Sequence, residues 1–499
     1  MTWTNRRLWH RSLMAPMLVA VMGGCGGGDD EPTPAATTPV SAVGVISAFG
    51  SVVVNGVRFN DSGAAITIND AAATREQLRV GMMVELEGRL DRCPQPDLGV
   101  CTGQATRIRF RNNLVGPVTT VNRLRNTLTV MGQTVELDEE TIVDGAVVDD
   151  IGGLQVGDVV AVSGLRIREQ DRTRDRLRAR LLQRTGGFVN GTTGISVVGE
   201  VTDVVDGTSF GIGPVRVRVQ ASCGLPTGGV QRGQFVEVTG KAFGAGGFDC
   251  DRVQVRERIG MPDASSVELE GYVSDVVSIG NFRLDGMGVN AALATLRDGT
   301  AADLANGRRV EVEGVVTDGV LVASRLLFKR EANVQLQAPM QSIDTAAGRL
   351  ALLGKVVALT TTTQWVDQTS APVRTLSLGD LRVGDRLDVR GASDSAGVLV
   401  ASRITRTEPS TLLVVKAGLD AKSPTSQLTI FGINALTGPQ TRYRDPEGNL
   451  ISATDFYALA QVPPAVPSVV RAQGVAATVA NTVDATRTSS NRGEVEIAR

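Results

Sequence analysis

Paired carboxylates are the first residues whose spacing suggests chemistry. Glu85 with Glu87, and Glu311 with Glu313, lie two positions apart in stretches where apolar and polar residues alternate. On a β-strand such side chains share one face about 6.6 Å apart, a separation that nominally suits an acid and a base around a water molecule. The equivalent position elsewhere carries Ala161, which does not support a repeated catalytic site. We favour acids on the solvated wall of a barrel.

A dense run of arginines is the second candidate. Between residues 166 and 180, seven arginines and three acids give a local charge of +4. Such a cluster can grip the phosphates of lipopolysaccharide or an acidic polymer. Mixed-sign charge on an exposed hairpin is the alternative explanation. The candidate polyanion-binding residues are Arg166, Arg168, Arg172, Arg174 and Arg176.

Histidine is missing from the chain after His10. The region beyond residue 24 therefore has no Ser-His-Asp triad, no Cys-His pair and no histidine-ligated zinc site. Without residues 1–24 the chain has 48 basic and 53 acidic side chains, a net charge of −5. A weakly acidic chain is a poor partner for nucleic acid. We expect a non-enzymatic protein without cofactor or metal.

The N-terminal residues have the pattern of an export signal. Three arginines precede a short apolar run, Leu13 to Met22, and then Gly23-Gly24-Cys25. The run is too short to span a membrane. It resembles the bacterial lipoprotein signal, in which the cysteine carries lipid such as palmitate and begins the mature chain. The resemblance implies a membrane anchor at Cys25, with Gly26 after it favouring the outer membrane, facing the periplasm or the cell surface.

Four more cysteines fall into two local pairs. Cys93 lies near Cys101, and Cys223 lies near Cys250. In an oxidising envelope each pair is expected to form a disulfide. A catalytic thiol or a thiolate metal site is the less favoured alternative.

An eleven-residue motif recurs along the chain. Its final glycines are 76, 76, 74, 77 and 83 residues apart. The copies run over residues 78–88, 154–164, 230–240, 304–314, 381–391 and, in degenerate form, 464–474. Within a copy, apolar and polar residues alternate as in a half-buried strand. The glycine before this strand suits a turn with a positive backbone angle, and the closing glycine marks a close backbone approach.

Each motif belongs to a small all-β unit. Two strands, such as 43–48 and 51–59, precede it. A second recurring motif, of the type ATRI at 105–108, follows it. A short helical stretch such as 71–78 fits between the third and fourth strands. Five strands with this insert predict an OB-type Greek-key barrel, with a five-stranded SH3-like barrel as the competitor.

With these two recurring motifs and the N-terminal signal, the chain resembles bacterial envelope proteins of the domain-of-unknown-function family numbered 5666. The resemblance implies a tandem array of about six barrels and supplies no catalytic residue. The expected organisation is a signal (1–24), a lipidated linker without fixed structure (25–41), barrel repeats at 42–114, 115–187, 194–260, 265–332 and 333–408, and a degenerate repeat at 410–499. The last segment fits either a sixth barrel with an insertion or a half-formed cap.

Three functions agree with this organisation. The first is a non-enzymatic scaffold that presents repeated surfaces to an envelope protein or the cell wall, since linked weak sites gain from effective concentration. The second is a module that binds polysaccharide or another polyanion. The third is a carboxylate-based hydrolase with its site in a groove between adjacent barrels.

Overall fold

The computed structural model describes residues 38–92, 101–123, 125–144, 151–169, 174–256, 266–394, 396–423, 425–487 and 493–498. Six small barrels follow one another along these residues. The first 37 residues, with the predicted signal and Cys25, lie outside the described residues, so those predictions are not tested. The predicted end of the linker is wrong, because residues 38–41 already belong to the first strand, Thr38–Ala48.

Repeat 1 shows how each barrel closes. Its first strand, Thr38–Ala48, pairs with the second and with the fourth, while the second pairs with the third. The third strand runs parallel to the fifth, and the fifth pairs antiparallel with the fourth. The strand order 1-2-3-5-4 thus returns to strand 1, and a short helical turn precedes strand 4. This supports the predicted OB-type barrel over the all-antiparallel SH3-like competitor.

The strands that close the six barrels have the following bounds. Repeat 1 uses Thr38–Ala48, Val52–Val54, Val57–Asn60, Met83–Arg92 and Thr102–Phe110. Repeat 2 uses Leu114–Asn122, Thr127–Val130, Gln133–Glu136, Asp158–Ile167 and Arg176–Gly187. Repeat 3 uses Ile195–Val205, Ser209–Ile212, Val215–Arg218, Phe235–Gly240 with Ala242–Gly244, and Gly247–Asp249 with Arg252–Val255. Repeat 4 uses Ser266–Ser278, Asn281–Leu284, Met287–Asn290, Arg309–Thr317 and Val320–Phe328. Repeat 5 uses Val334–Pro339 with Ser342–Asp344, Arg349–Leu352, Lys355–Ala358, Arg386–Ser393 and Leu399–Thr407. Repeat 6 uses Leu413–Ser423, Gln427–Ile430, Ile433–Leu436, Val469–Ala476, and Thr482–Asp484 with Glu494–Ala498.

Short elements fill the connections between the third and fourth strands. The extra strands are Ala65–Ile68, Ala71–Ala73, Ile142–Asp144, Thr295–Arg297, Gln364–Asp367, Arg442–Arg444 and Leu450–Ile451. The predicted helical insert is a single 3₁₀ turn, found at Arg75–Gln77, Ile151–Gly153, Ala301–Asp303 and Leu378–Asp380. In repeat 6 the insert is the α-helix Ala453–Leu459, begun by Ser452, whose hydroxyl accepts a hydrogen bond from the Asp455 amide. The last segment is therefore a complete sixth barrel with an insertion.

One detail of the predicted strands is wrong: the second strand of the predicted pair is itself two strands. The stretch 51–59 is a hairpin of two strands that turns at Asn55-Gly56, where φ is 51° and 79°. Paired positive angles belong to the two-residue turn that matches the twist of flanking strands. The same geometry recurs at Met131-Gly132 and Leu353-Gly354. At Met131 and Leu353 a bulky first residue replaces the Asn or Asp typical of this turn, whereas Asn55-Gly56 has the typical sequence.

Both motif glycines behave as expected. The turn glycines have positive φ, for example 90° at Gly81 and 94° at Gly157. The closing glycines lie where the fourth strand bulges against the fifth. A Cβ at Gly164 would stand 2.1 Å from the carbonyl oxygen of Arg178, so the motif ends where two backbones touch.

The barrels join in pairs through their first strands. Repeats 1 and 4 pair in parallel, with Val40 opposite Ser266. Repeats 2 and 3 pair antiparallel through Leu114 and Val197, and repeats 5 and 6 through Leu336 and Val415. Three continuous sheets result. The described residues from 38 onward consequently form one compact unit rather than separate barrels on a line.

Candidate functional site

The barrels meet around three consecutive acids in repeat 2, which we call the acidic hub: Asp138, Glu139 and Glu140. They follow the third strand, Gln133–Glu136. Asp138 binds Arg178 and Arg180 of its own repeat at 3.1 Å. The other two acids reach different repeats, so one tripeptide ties several barrels together.

Glu140 links repeat 2 to repeat 4. Its carboxylate accepts hydrogen bonds from Arg180 at 3.1 Å and from Arg309 of repeat 4. Arg309 also binds Glu270 at 2.5 Å, and the Arg180 guanidinium donates to the Tyr272 hydroxyl at 3.1 Å. All five side chains are buried, and Arg180 has no exposed surface. Buried charges of this kind persist only when they are paired.

Glu139 links repeat 2 to repeats 5 and 6. Its two carboxylate oxygens lie 2.7 Å from Arg390 and 2.6 Å from Lys416. Arg390 also binds Asp388 of its own strand at 3.1 Å. Nearby, the buried Arg403 donates to the backbone carbonyl of Thr141. The hub therefore contacts four of the six repeats.

The pKa values around the hub follow from burial opposed by pairing. Burial alone raises the pKa of the Glu270 carboxyl, but attraction by Arg309, Lys329 and Arg180 outweighs it and holds the pKa at about 2. Burial lowers the pKa of Arg403 to about 10, helped by repulsion from Arg390. At neutral pH the Glu270 carboxyl is therefore ionised and the Arg403 guanidinium keeps its charge.

Glu268 is the exception. Its side chain is buried two positions before Glu270 on the same strand, and it lies opposite Glu313 of the neighbouring strand. Burial, with repulsion from Glu311 and Glu313, raises its pKa well above the ordinary value. One carboxylate oxygen has no hydrogen-bond partner. Glu268 is therefore a buried acid that favours its neutral form.

A polar cleft of about 490 Å³ opens beside the hub, lined among others by Asn55, Glu311, Lys329, Thr360 and Gln364. It lies where repeats 1, 4 and 5 approach one another. The side-chain oxygens of Asn55 and Gln364 are buried there without a hydrogen-bond partner. The cleft can accept hydrogen bonds from a polar group.

The paired carboxylates lie in two different settings. Glu87 is partly exposed and binds Arg107 at 3.1 Å, and Glu85 binds Arg109 at the same distance. Glu311 is only 3% exposed and lies 2.6 Å from Lys329. The expectation of solvated acids is thus wrong for Glu311, because the polar face of its strand is covered by neighbouring repeats.

The arginine hairpin contributes mainly to internal contacts. Arg166 donates to the backbone carbonyl of Val198 at 3.1 Å, and Arg168 binds Glu200 at 3.0 Å with a side chain 7% exposed. Arg176 binds Glu169 at 2.7 Å. Arg174 also has an interaction partner, and Arg172 lies outside the described residues. Polyanion binding by these residues remains a prediction.

One predicted disulfide is confirmed. Cys223 and Cys250 are bonded, with their Cα atoms 5.3 Å apart. Cys101 is also disulfide-bonded, while Cys93 lies outside the described residues. Among the residues described, no group of three or more His, Cys, Asp or Glu side chains is arranged to hold a metal ion. In the same residues, no helix has the length and apolar character needed to cross a membrane.

Sequence reasoning missed the acidic hub. A difference between repeats could have revealed it. Residues 138–140 are Asp-Glu-Glu, whereas the equivalent residues of repeat 5, 360–362, are all threonine. An acidic run in only one copy of a repeat indicates a role specific to that copy.

Three regions of the chain, residues 115–171, 270–326 and 337–405, match the model of a domain of unknown function (DUF5666). They coincide with most of repeats 2, 4 and 5, so the chain carries tandem repeats of this domain. No curated protein is significantly similar to the chain.

Proposed function

Given a chain built of tandem repeats of this domain, we propose that it is a non-enzymatic scaffold of the bacterial cell envelope, held to the outer membrane by lipid on Cys25. The observation that carries the proposal is the acidic hub, which ties four repeats into one body through ion pairs that are buried at Glu140 and partly buried at Glu139. Fixed charges of this kind favour a single arrangement of domains. A scaffold gains from such rigidity because its contact surfaces keep their mutual positions.

We propose a scaffold rather than a hydrolase because the cleft carboxylates are engaged. Glu140 and Glu270 are held by Arg309, and Glu311 is held by Lys329. The pKa of the Glu270 carboxyl is lowered to about 2, so this group is a poor proton donor at neutral pH. Loss of function in Glu311→Gln, with folding intact, would favour the hydrolase.

We also prefer a protein partner to a polyanion, because two of the candidate arginines, Arg168 and Arg176, already bind carboxylates within the chain. The polyanion alternative predicts salt-sensitive retention on lipopolysaccharide. Charge reversal at Arg172, Arg174 and Arg176 together would abolish that retention. Retention unchanged by the reversal would exclude this hairpin as the site.

The main test is photo-cross-linking in intact cells. A photoreactive residue replaces Leu293, Val466 or Val156, whose side chains are 96%, 88% and 68% exposed in repeats 4, 6 and 2. We expect one of these positions to capture the same discrete envelope protein in repeated experiments, while the others serve as matched controls. Capture of only glycan or lipopolysaccharide would contradict the scaffold proposal.

Membrane attachment is tested separately. Labelled palmitate should be incorporated into the wild-type chain and lost in Cys25→Ala. The variant should leave the membrane fraction while keeping its fold, because the barrels begin well after the lipidated residue. Unlabelled wild-type protein would refute the anchor but leave the scaffold proposal standing.

A further inference from the structure

A second cleft, of about 390 Å³, lies between repeats 1, 2 and 5 and is lined mainly by alkyl and aromatic side chains. We call it the apolar cleft and define it by Phe49, Leu78, Ile142, Leu181, Trp365 and Val373. Its volume is within the range of small-molecule sites. Three repeats supply its walls, yet they leave the space between them open.

Two arginines lie in this apolar setting. Arg79 donates to the carbonyl oxygens of Glu76 at 2.5 Å and Leu78 at 3.0 Å. Arg374 donates to backbone carbonyls of the same turn and lies over the Phe49 ring, 3.7 Å from its centroid. Among the described residues, neither guanidinium has a carboxylate at ion-pair distance. The buried Nε of Arg374 has no hydrogen-bond partner.

The acidic side chains that line the cleft do not neutralise both arginines. Asp367 lines the cleft but is bound by Arg406. Glu76 also lines it and attracts Arg374 from an exposed position. The cleft therefore retains one positive charge in excess, next to walls that disfavour water.

An apolar chamber with an unpaired guanidinium suits a molecule with an alkyl body and an anionic head. We propose that the apolar cleft binds a medium-chain aliphatic carboxylate, with the chain against Trp365 and the carboxylate held by Arg79 and Arg374. Guanidinium groups bind carboxylates through parallel hydrogen bonds. This site is independent of the proposed scaffold function, which it neither requires nor replaces.

The repeat supplies a matched control for Arg79. Arg382 occupies the same turn of repeat 5 and donates to Gly379 and Leu381 carbonyls at 2.9 and 2.8 Å. Arg79 and Arg382 thus make the same local bonds, and both side chains are exposed. Only Arg79 faces the apolar cleft, so any shared structural role cancels in the comparison.

The experiment is a titration of the chain from Gly26 onward, in which Trp365 is the sole tryptophan. The probes are octanoate, 1-octanol, which lacks the charge, and acetate, which lacks the chain. We expect octanoate to change Trp365 emission saturably and acetate to have no effect. Equilibrium dialysis with labelled octanoate should give one site per chain. Binding of 1-octanol should be about tenfold weaker, as expected for a lost charged hydrogen bond.

Two substitutions test whether Arg79 binds the carboxylate. Arg79→Gln should weaken octanoate binding about tenfold and leave 1-octanol binding unchanged, while Arg382→Gln should alter neither. No saturable binding by a folded chain would overturn the proposal. Equal binding of octanoate and 1-octanol, or equal effects of the two substitutions, would also overturn it.

Discussion

The substitution Arg309→Met tests whether the hub holds the barrels together. It removes the cation between Glu140 of repeat 2 and Glu270 of repeat 4 while keeping an apolar stem in the buried space. The pKa of Glu270 is held at about 2 against an ordinary value of 4.5. At about 1.4 kcal/mol per pKa unit, this shift corresponds to a net stabilisation of the ionised carboxyl by about 3.5 kcal/mol, after the cost of burial has been offset by the surrounding cations. Loss of one partner of a buried ion pair costs about the same.

The assay is urea unfolding followed by circular dichroism, with the free energy of the first transition compared at pH 7 and pH 3. We expect a loss of about 3 kcal/mol at pH 7. A lowered carboxyl pKa contributes stability above 4.5 that disappears as the pH falls towards 2. The difference between variant and wild type should therefore shrink at pH 3.

The control is Arg216→Met in repeat 3. Arg216 lies 2.6 Å from Asp203, but both side chains are about 40% exposed. An exposed pair contributes at most about 1 kcal/mol, so this variant should stay close to wild type. If Arg309→Met is no more destabilising than Arg216→Met, the hub is not a stabilising link between repeats.

Three further outcomes are expected. Glu268→Gln should stabilise the protein at pH 8 in thermal unfolding, with the advantage vanishing towards pH 4, because a raised carboxyl pKa costs stability as pH increases; an equal gain at both pH values would contradict this. Gly164→Ala should cost about 1–3 kcal/mol in urea unfolding, because its Cβ meets the carbonyl of Arg178, whereas Gly187→Ala, which meets nothing within 4 Å, should be nearly neutral. Deleting residues 266–328 should expose the first strand of repeat 1 and cause aggregation in analytical ultracentrifugation; a monomeric, folded product would show that the repeats are independent.

The sequence predicted the individual barrel well because its signals are local. Alternation along residues 84–87 identifies a strand, and Gly81 and Gly88 mark its turn and its bulge. These features depend on neighbours within one repeat. Their spacing was therefore enough to predict the barrel type, the insert and the number of barrels, although the stretch 51–59 is two strands and not one.

The same patterns could not predict how barrels pack. Glu268 and Glu270 alternate with apolar residues as they would on a solvated strand, yet both are buried. A polar face covered by a partner of opposite charge has the same sequence pattern as one covered by water. The apolar stretch of residues 42–46 did carry information, since a strand without alternation is buried on both faces.

The pairing of repeat 1 with repeat 4 also determines when the edge of the first strand is covered during synthesis. Val40 lies opposite Ser266, 226 residues later in the chain, whereas repeats 2 and 3 pair as neighbours. Repeat 1 is made first but keeps an open strand edge until three more barrels have been produced. An unpaired edge invites pairing with any extended chain nearby. The nascent protein therefore passes through an interval in which the first strand of its oldest domain is exposed to pairing with other chains.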